Sequence, residues 1–138
     1  MAYVNIQELV EPILDVYYRS AFRLFPPTIS HEMISRWLSN IADHPDYYIA
    51  RIPLNGPLKA FCIGRVHVSI LPPFLSCVSE IMWWAAPNKK REASCALRAV
   101  ERWGKLKGAC LVGYTLSSPG QRTTRAQELC QWKWIGDS

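Results

Sequence analysis

An α+β fold, a mixed sheet with helices on both faces, follows from three features of this sequence. Two stretches with helical spacing come first, over residues 8–25 and 30–41. Three strand-like runs follow, separated by turns at residues 53–57 and 71–73, and make an antiparallel meander. Between Glu80 and Leu116 a strand, a helix and a strand then succeed one another with no hairpin, so the two strands are parallel and joined by a right-handed crossover.

Each element has its own signal. Met1 to Ile6 reads as a short first strand or a frayed end. From Glu8 to Phe25, Leu9, Ile13, Tyr17 and Phe22 recur near helical spacing; Pro12 places the regular part from Glu11, where proline is tolerated in a first turn, and Pro26-Pro27 ends it. Ser30 is an N-cap for a second helix with Glu32 in its first turn and Ile34, Trp37, Leu38 and Ile41 as its stripe. Tyr47 to Ile52 is a strand, Asn55-Gly56 a turn, and Leu58 to Ile70 a longer strand. In that strand Val66, Val68 and Ile70 alternate with Arg65, His67 and Ser69, one face buried and one wet, which makes His67 a surface strand residue. Phe74 to Ala85 is the third strand, Glu92 to Lys107 a helix, and Gly108 sits at its C′ position. Ala109 to Leu116 is a strand with Cys110, Val112 and Tyr114 on one face and Leu111 and Gly113 on the other; Gln121 to Gln131 reads as a short helix and Trp132 to Ile135 as a last strand.

The chain of 138 residues is read as one domain, residues 1–138, with 49% hydrophobic and 20% charged residues, which excludes a disordered chain. The formal net charge of +5 suits a phosphate-bearing partner and falls short of a dedicated nucleic-acid binder, for which no recognition motif exists. Five widely spaced cysteines without a C-x-x-C pair read as small hydrophobes in a reducing compartment, and three isolated histidines give no metal-ligand spacing. No secretory leader and no run of ~18 apolar residues is visible, so the expectation is a cytoplasmic protein with no membrane segment.

The chemistry concentrates between Glu80 and Gly108. A strand with one ionisable residue, Glu80, runs into the cationic turn Lys89-Lys90-Arg91 and then a helix. Helix N-termini present unsatisfied N–H groups and a positive dipole end, where anions bind. Cations there oppose the dipole, so three in a row point to an anion between them; Ala93, Ser94 and Ala96 are small enough for close backbone approach. On the rest of the helix Ala96, Ala99, Val100, Trp103 and Leu106 form the core stripe, opposite Arg98, Glu101, Arg102 and Lys105.

Arg91-Glu92-Ala93-Ser94-Cys95-Ala96 resembles the Gln/Arg-x-x-Gly-x-Gly/Ala signature of the GCN5-related N-acetyltransferase (GNAT) superfamily, with Ser94 in place of the middle glycine. The Trp83-Trp84 strand, the proline after it and the Ala99 to Ala109 phrase resemble the family too, and the order of elements matches its minimal domain. The resemblance implies a GNAT-like mixed sheet and an acetyl-CoA co-substrate. It implies that Trp84, Ala85 and Ala86 offer backbone to the pantetheine arm, and that Lys89, Lys90, Arg91, Glu92, Ala93, Ser94, Cys95 and Ala96 hold the pyrophosphate. Glu80 is similar in position to the family's glutamate base, in an apolar setting that raises a carboxylate's pKa. By strand alternation it shares a face with Met82 and Trp84. Cys130 in Leu129-Cys130-Gln131-Trp132-Lys133-Trp134 stands where the family's tyrosine acid stands, and Tyr114 is a substitute donor.

The implied function is acyl-CoA-dependent N-acyl transfer, with acetyl-CoA and an unidentified amine as partners. The alternative is a catalytically degenerate GNAT-fold binding or assembly protein, as of a phage particle in the host cytoplasm or virion, with a protein partner or a second copy of itself. Paired aromatics support it: Tyr17-Tyr18, Tyr47-Tyr48 and Trp132 with Trp134, from which one of each adjacent pair should point outward.

Overall fold

The computed structural model describes residues 4–19, 29–69, 72–114 and 132–136. From Val4, the first described residue, to Leu9 no strand forms. The chain there makes a 3₁₀ turn, Ile6–Leu9, capped by Asn5, whose Oδ1 accepts from Gln7 N at 3.1 Å. Helix α1 (Val10–Arg19) follows directly. Pro12 is its third residue, within the first turn, where no intrahelical donor is lost. Helix α2 (His31–Ala42) starts at Ser30, whose hydroxyl accepts from Met33 N at 3.2 Å, and buries Ile34, Leu38 and Ile41.

Among the described residues five strands follow in spatial order: β1 (Tyr47–Ile52), β2 (Ala60–Val68), β3 (Ser76–Ala85), β4 (Leu111–Gly113) and β5 (Trp132–Trp134). The first three form the expected meander; β3 and β4 are parallel, and β5 returns antiparallel to β4. Helix α3 (Lys90–Leu106) makes the crossover and ends at Gly108, whose φ of +94° is the left-handed geometry of a C′ glycine. β1 has the expected span, whereas β2 and β3 each start two residues later than the sequence pattern indicated. The expected helix over residues 121–131 lies outside the described residues.

The two faces of the sheet are covered differently. α3 packs on one, over Ala50, Ala60, Cys62, Val78, Trp83 and Val112. The 3₁₀ turn, α1 and α2 pack on the other, over Phe61 and Ile63, with Met82 and Trp84 beside them. Tyr47 and Tyr48 therefore do not divide into one inward and one outward ring. Both are half-buried on opposite faces, Tyr48 stacked on Trp103 of α3 at 5.4 Å. Val68, assigned by alternation to the buried set, is 59% exposed at the end of β2.

A β-bulge sets the position of Glu80. Ile63 pairs with Met82 but Gly64 pairs with Glu80, so Ile81 is the extra residue on β3. The bulge shifts the parity of β3. Met82 and Trp84 face α1 and α2, whereas Glu80 shares the α3 face with Val78 and its partner Gly64. The simple alternation that grouped Glu80 with Met82 and Trp84 fails at this one residue. Gly64 is required by α3: a Cβ there would stand 2.4 Å from Val100 Cγ1.

Candidate active site

The parallel seam between β3 and β4 is short. Cys77, Val78 and Ser79 pair with Leu111, Val112 and Gly113. From Glu80 to Ala85, β3 continues with no partner on its β4 side among the described residues. At about 3.3 Å per residue this leaves some 20 Å of backbone edge without a partner among the described residues. It ends at the turn into α3, so the opening runs from Ser79 to the helix N-terminus, outside the carboxyl end of a parallel strand where ligands of such sheets bind.

That N-terminus carries no side-chain cap. Its N-cap, Lys89, has φ −113° and ψ 45° and makes no capping hydrogen bond. Lys90 and Arg91, in the first turn, are exposed, as are Ser94 and Cys95. An uncapped helix start flanked by exposed cations leaves its amides to an anion. Ala93 and Ala96 have a different role from the one their size suggested. Both are buried against the sheet, and the Ala93 carbonyl accepts from Trp83 Nε1 at 2.9 Å. Their smallness brings α3 down onto β3, and the indole fixes the first turn relative to the open edge. Trp84, Ala85 and Ala86 close β3, and Ala86 N donates to Lys59 O at 2.8 Å, which keeps this segment extended to the helix start. Trp84 stacks on Phe61 at 5.9 Å.

Glu80 stands one residue beyond the last parallel pair and is 1% exposed, beneath α3. Around it the sheet gathers Cys62 and Tyr114, with Glu101 from α3. The Tyr114 hydroxyl donates to Glu101 Oε1 at 2.5 Å, and Lys133 Nζ lies 3.7 Å from Glu101 Oε2. Burial raises the Tyr114 pKa above its ordinary value, followed by the hydrogen bond to Glu101 and the nearby carboxylates. Burial likewise holds the Cys62 thiol well above its usual range, with Glu80 and Glu101 adding to it. Glu101, which the helix pattern placed on the solvent face, is thus turned to the end of β4, and Tyr114 ties β4 to α3.

The opposite face holds what the sequence pattern missed. A cavity of ≈ 560 Å³ is lined by Trp37 of α2, Tyr47 of β1, Arg65, His67 and Val68 of β2, and Ser79 and Ile81 of β3. His67 Nε2 lies 2.6 Å from Ser79 Oγ. The Trp132 ring lies across β4, where Gly113 has no side chain; a Cβ on Gly113 would meet Trp132 Cζ3 at 2.8 Å. Its edge reaches His67, with ring centroids 6.3 Å apart. The alternation that marked Arg65 and His67 as the wet side of β2 was the available signal; that Trp37 of α2 walls this side into a cavity could not be read from strand pattern alone.

Of the three residues placed at the chemistry, Glu80 and Tyr114 meet on the α3 face, and Cys130 lies outside the described residues. Cys62 and Cys77 are buried, Cys110 is half-buried and Cys95 exposed, and all four are thiols. Among the described residues no cluster of His, Cys, Asp or Glu could hold a metal ion, and no helix is long and apolar enough to cross a membrane.

No family model and no curated protein matches the sequence. Solved structures do match the fold. Glucosamine-6-phosphate N-acetyltransferase from Arabidopsis thaliana aligns with a TM-score of 0.57 at 10% identity, over 92% of this chain and 83% of that one. An aminoglycoside N-acetyltransferase in complex with CoA aligns with a TM-score of 0.61 at 13% identity, over 92% and 78%. A transcriptional regulator from Bacillus halodurans aligns with a TM-score of 0.62 at 9% identity, over 93% and 85%. With the five-stranded mixed sheet, its single parallel pair and its crossover helix, these alignments give the chain the fold of the GCN5-related N-acetyltransferases.

Proposed function

We propose that the protein is an acyl-CoA-dependent N-acyltransferase, transferring an acetyl group to an amine. The observation that carries this reading is the opening of the β3–β4 seam onto the uncapped start of α3, a slot with a phosphate-binding end. Three of the residues around it fit coenzyme A: Lys90 and Arg91 are exposed cations at the helix start, and Ser94 is exposed one turn on. The amides of Lys90, Arg91 and Glu92 with the two cations would hold the pyrophosphate, Lys89 flanking it, and the edge of Glu80 to Ala86 would take the amide-bearing arm. Ala93, Cys95 and Ala96 complete the turn. The thioester supplies an activated acyl group. An aminoglycoside acetyltransferase of this fold is known in complex with CoA, which supports the same use of the slot here.

Within the slot this chain's residues bind and orient. Trp83 holds the α3 start at a fixed distance from β3 through its bond to Ala93. The cavity on the α2 face meets the seam at Ser79 and Ile81, so an amine bound there lies beside the apex at which β3 and β4 part. Glu80 is buried on the α3 side.

Calorimetric titration with acetyl-CoA and CoA tests the reading. Saturable binding is expected, weakened ten-fold or more in K90E/R91E, because each charge-assisted phosphate contact is worth about 1.5–3 kcal/mol. Thiol release on adding amines to the acetyl-CoA complex then reads the transfer. Absence of saturable heat at millimolar ligand would remove the coenzyme site, and binding without thiol release on any amine would remove the transferase.

A further inference from the structure

The protein carries two sets of ionisable groups at the seam apex, on opposite faces of the sheet. Glu80 and Tyr114 are beneath α3, where Glu80 is 1% exposed and the Tyr114 hydroxyl is engaged by Glu101. His67 and Ser79 line the open cavity on the α2 face, and Ser79 is the last β3 residue paired with β4. A base must lie within hydrogen-bond reach of the proton it takes, and among the described residues it is the second set that lines the cavity. The cavity volume, ≈ 560 Å³, is in the ordinary range for small-molecule sites.

We infer that Ser79 and His67 form the proton acceptor for the amine, and that the amine belongs to a small molecule carrying a carboxylate and an apolar body, of the amino-acid class. This rests on the acyltransferase reading above. His67 Nδ1 faces the carbonyl of Val68 at 3.5 Å, and a carbonyl only accepts, so Nδ1 carries the hydrogen and Nε2 accepts from the Ser79 hydroxyl at 2.6 Å. The acceptor ammonium gives one proton to Ser79 Oγ as the Ser79 proton passes to His67 Nε2. The freed lone pair forms the C–N bond while the C–S bond breaks with its pair on sulfur. The second proton on nitrogen goes to that sulfur, and the imidazolium returns its proton to solvent. Ser79 is the group in contact with the substrate; His67 acts through it.

The substrate class follows from the lining. Among the described residues it contains one guanidinium, Arg65, and no carboxylate. Arg65 lies over the Tyr47 ring, 5.8 Å from its centroid, which pre-orders the guanidinium at the cavity wall. Trp37, Tyr47 and Ile81 supply the apolar walls. A bare amine finds the apolar walls and Ser79, whereas a carboxylate beside the amine also finds the guanidinium and leaves the nitrogen to Ser79. Among the described residues, the titratable and charged groups that face His67 are Arg65 on its own strand, Cys77 opposite it on β3 and Tyr47 on β1; α2 presents Trp37 and β5 the Trp132 ring, while Lys133 of β5 points to Glu101 on the other face.

The test uses L-phenylalanine and phenethylamine, which differ only in the carboxylate. In the ¹⁵N-histidine-labelled full chain with CoA present, L-phenylalanine shifts the His67 ring signals, identified by their absence in H67Q. R65M weakens L-phenylalanine binding ten-fold or more and leaves phenethylamine binding unchanged. In turnover, the rising limb of kcat/KM with pH is lost in H67Q and S79A and kept in E80Q, while CoA affinity measured by calorimetry is the same in H67Q as in the parent. The inference is overturned if H67Q keeps the limb, if E80Q loses it, or if both ligands bind equally well with and without Arg65. A parent chain that fails to bind CoA removes the acyltransferase reading instead; the histidine titration and the R65M comparison, run without CoA, then still decide whether the cavity takes a carboxylate.

Discussion

Replacing Gly64 by alanine tests the bulge that turns Glu80 towards α3. The added Cβ would lie 2.4 Å from Val100 Cγ1 and 3.5 Å from Val78 Cγ2, where carbon atoms prefer about 3.5–4.0 Å. Gly64 and Val100 are both buried, in mid-strand and mid-helix, so neither backbone gives way without moving α3. Overpacking of this kind costs about 2 kcal/mol. V100A alone removes two methyl groups from a fully buried site, worth about 1.6 kcal/mol at 0.8 per carbon, and the unfilled space brings this to about 2 kcal/mol. Independent effects would sum to about 4 kcal/mol. The double variant instead places the new methyl in the space Val100 vacates, so its loss should be about 2 kcal/mol, a coupling of about 2 kcal/mol between the sites. Urea denaturation of the four proteins, followed by circular dichroism, measures the cycle. Additive losses would mean that Gly64 does not face Val100. Its register partner Glu80 would then belong with Met82 on the α2 face, and the assignment of the two ionisable sets to opposite faces would collapse.

The raised Cys62 and Tyr114 values give a pH dependence. Both groups stay protonated in the fold to higher pH than in the unfolded chain, where they ionise near 9.0 and 10.0, so their contribution is complete below about pH 9 and is lost as pH rises towards the folded values. Thermal melts should fall progressively above pH 9, at about 1.4 kcal/mol per pH unit for the buried thiol, and C62A should flatten the first part of that fall; a C62A profile identical to the parent's rules out a contribution from Cys62. G113A should displace the half-exposed Trp132 ring that now occupies the Cβ position, at a cost of about 0.5 kcal/mol because the ring can swing outward, and shift tryptophan emission; emission unchanged from the parent contradicts the placement of the ring over β4. S30A should cost about 1 kcal/mol through loss of the α2 cap, read by urea denaturation, and S30G only a few tenths.

Much of the fold was legible in the sequence because its signals are local. Ser30 as cap, Gly108 as C′ glycine, the turn at Asn55-Gly56 and the hairpin-free run from β3 to β4 each depend on a few adjacent residues, and each element stands where those residues put it. What the pattern did not carry is non-local. Nothing in Ser79-Glu80-Ile81-Met82 announces a bulge; it exists in the pairing with Ile63 and Gly64, and it reverses the face of the one carboxylate in the strand. Ala93 and Ala96 read equally well as room for an anion or as helix–sheet contact, and burial decides for the second. His67 drew attention only as a polar residue on a strand. Its significance comes from Ser79, twelve residues on, and from Trp132 on β5, which no spacing rule connects.

On the proposed function, the open edge of β3 and the uncapped start of α3 form one coenzyme A slot. Hydrogen exchange of the full chain with and without saturating CoA addresses it most directly. Slowed exchange is expected at amides of Ile81 to Ala86 on the open edge and at Lys90, Arg91 and Glu92, with no comparable change in α2. CoA binding that leaves both segments exchanging at their unliganded rates, or that protects some other surface, would contradict it.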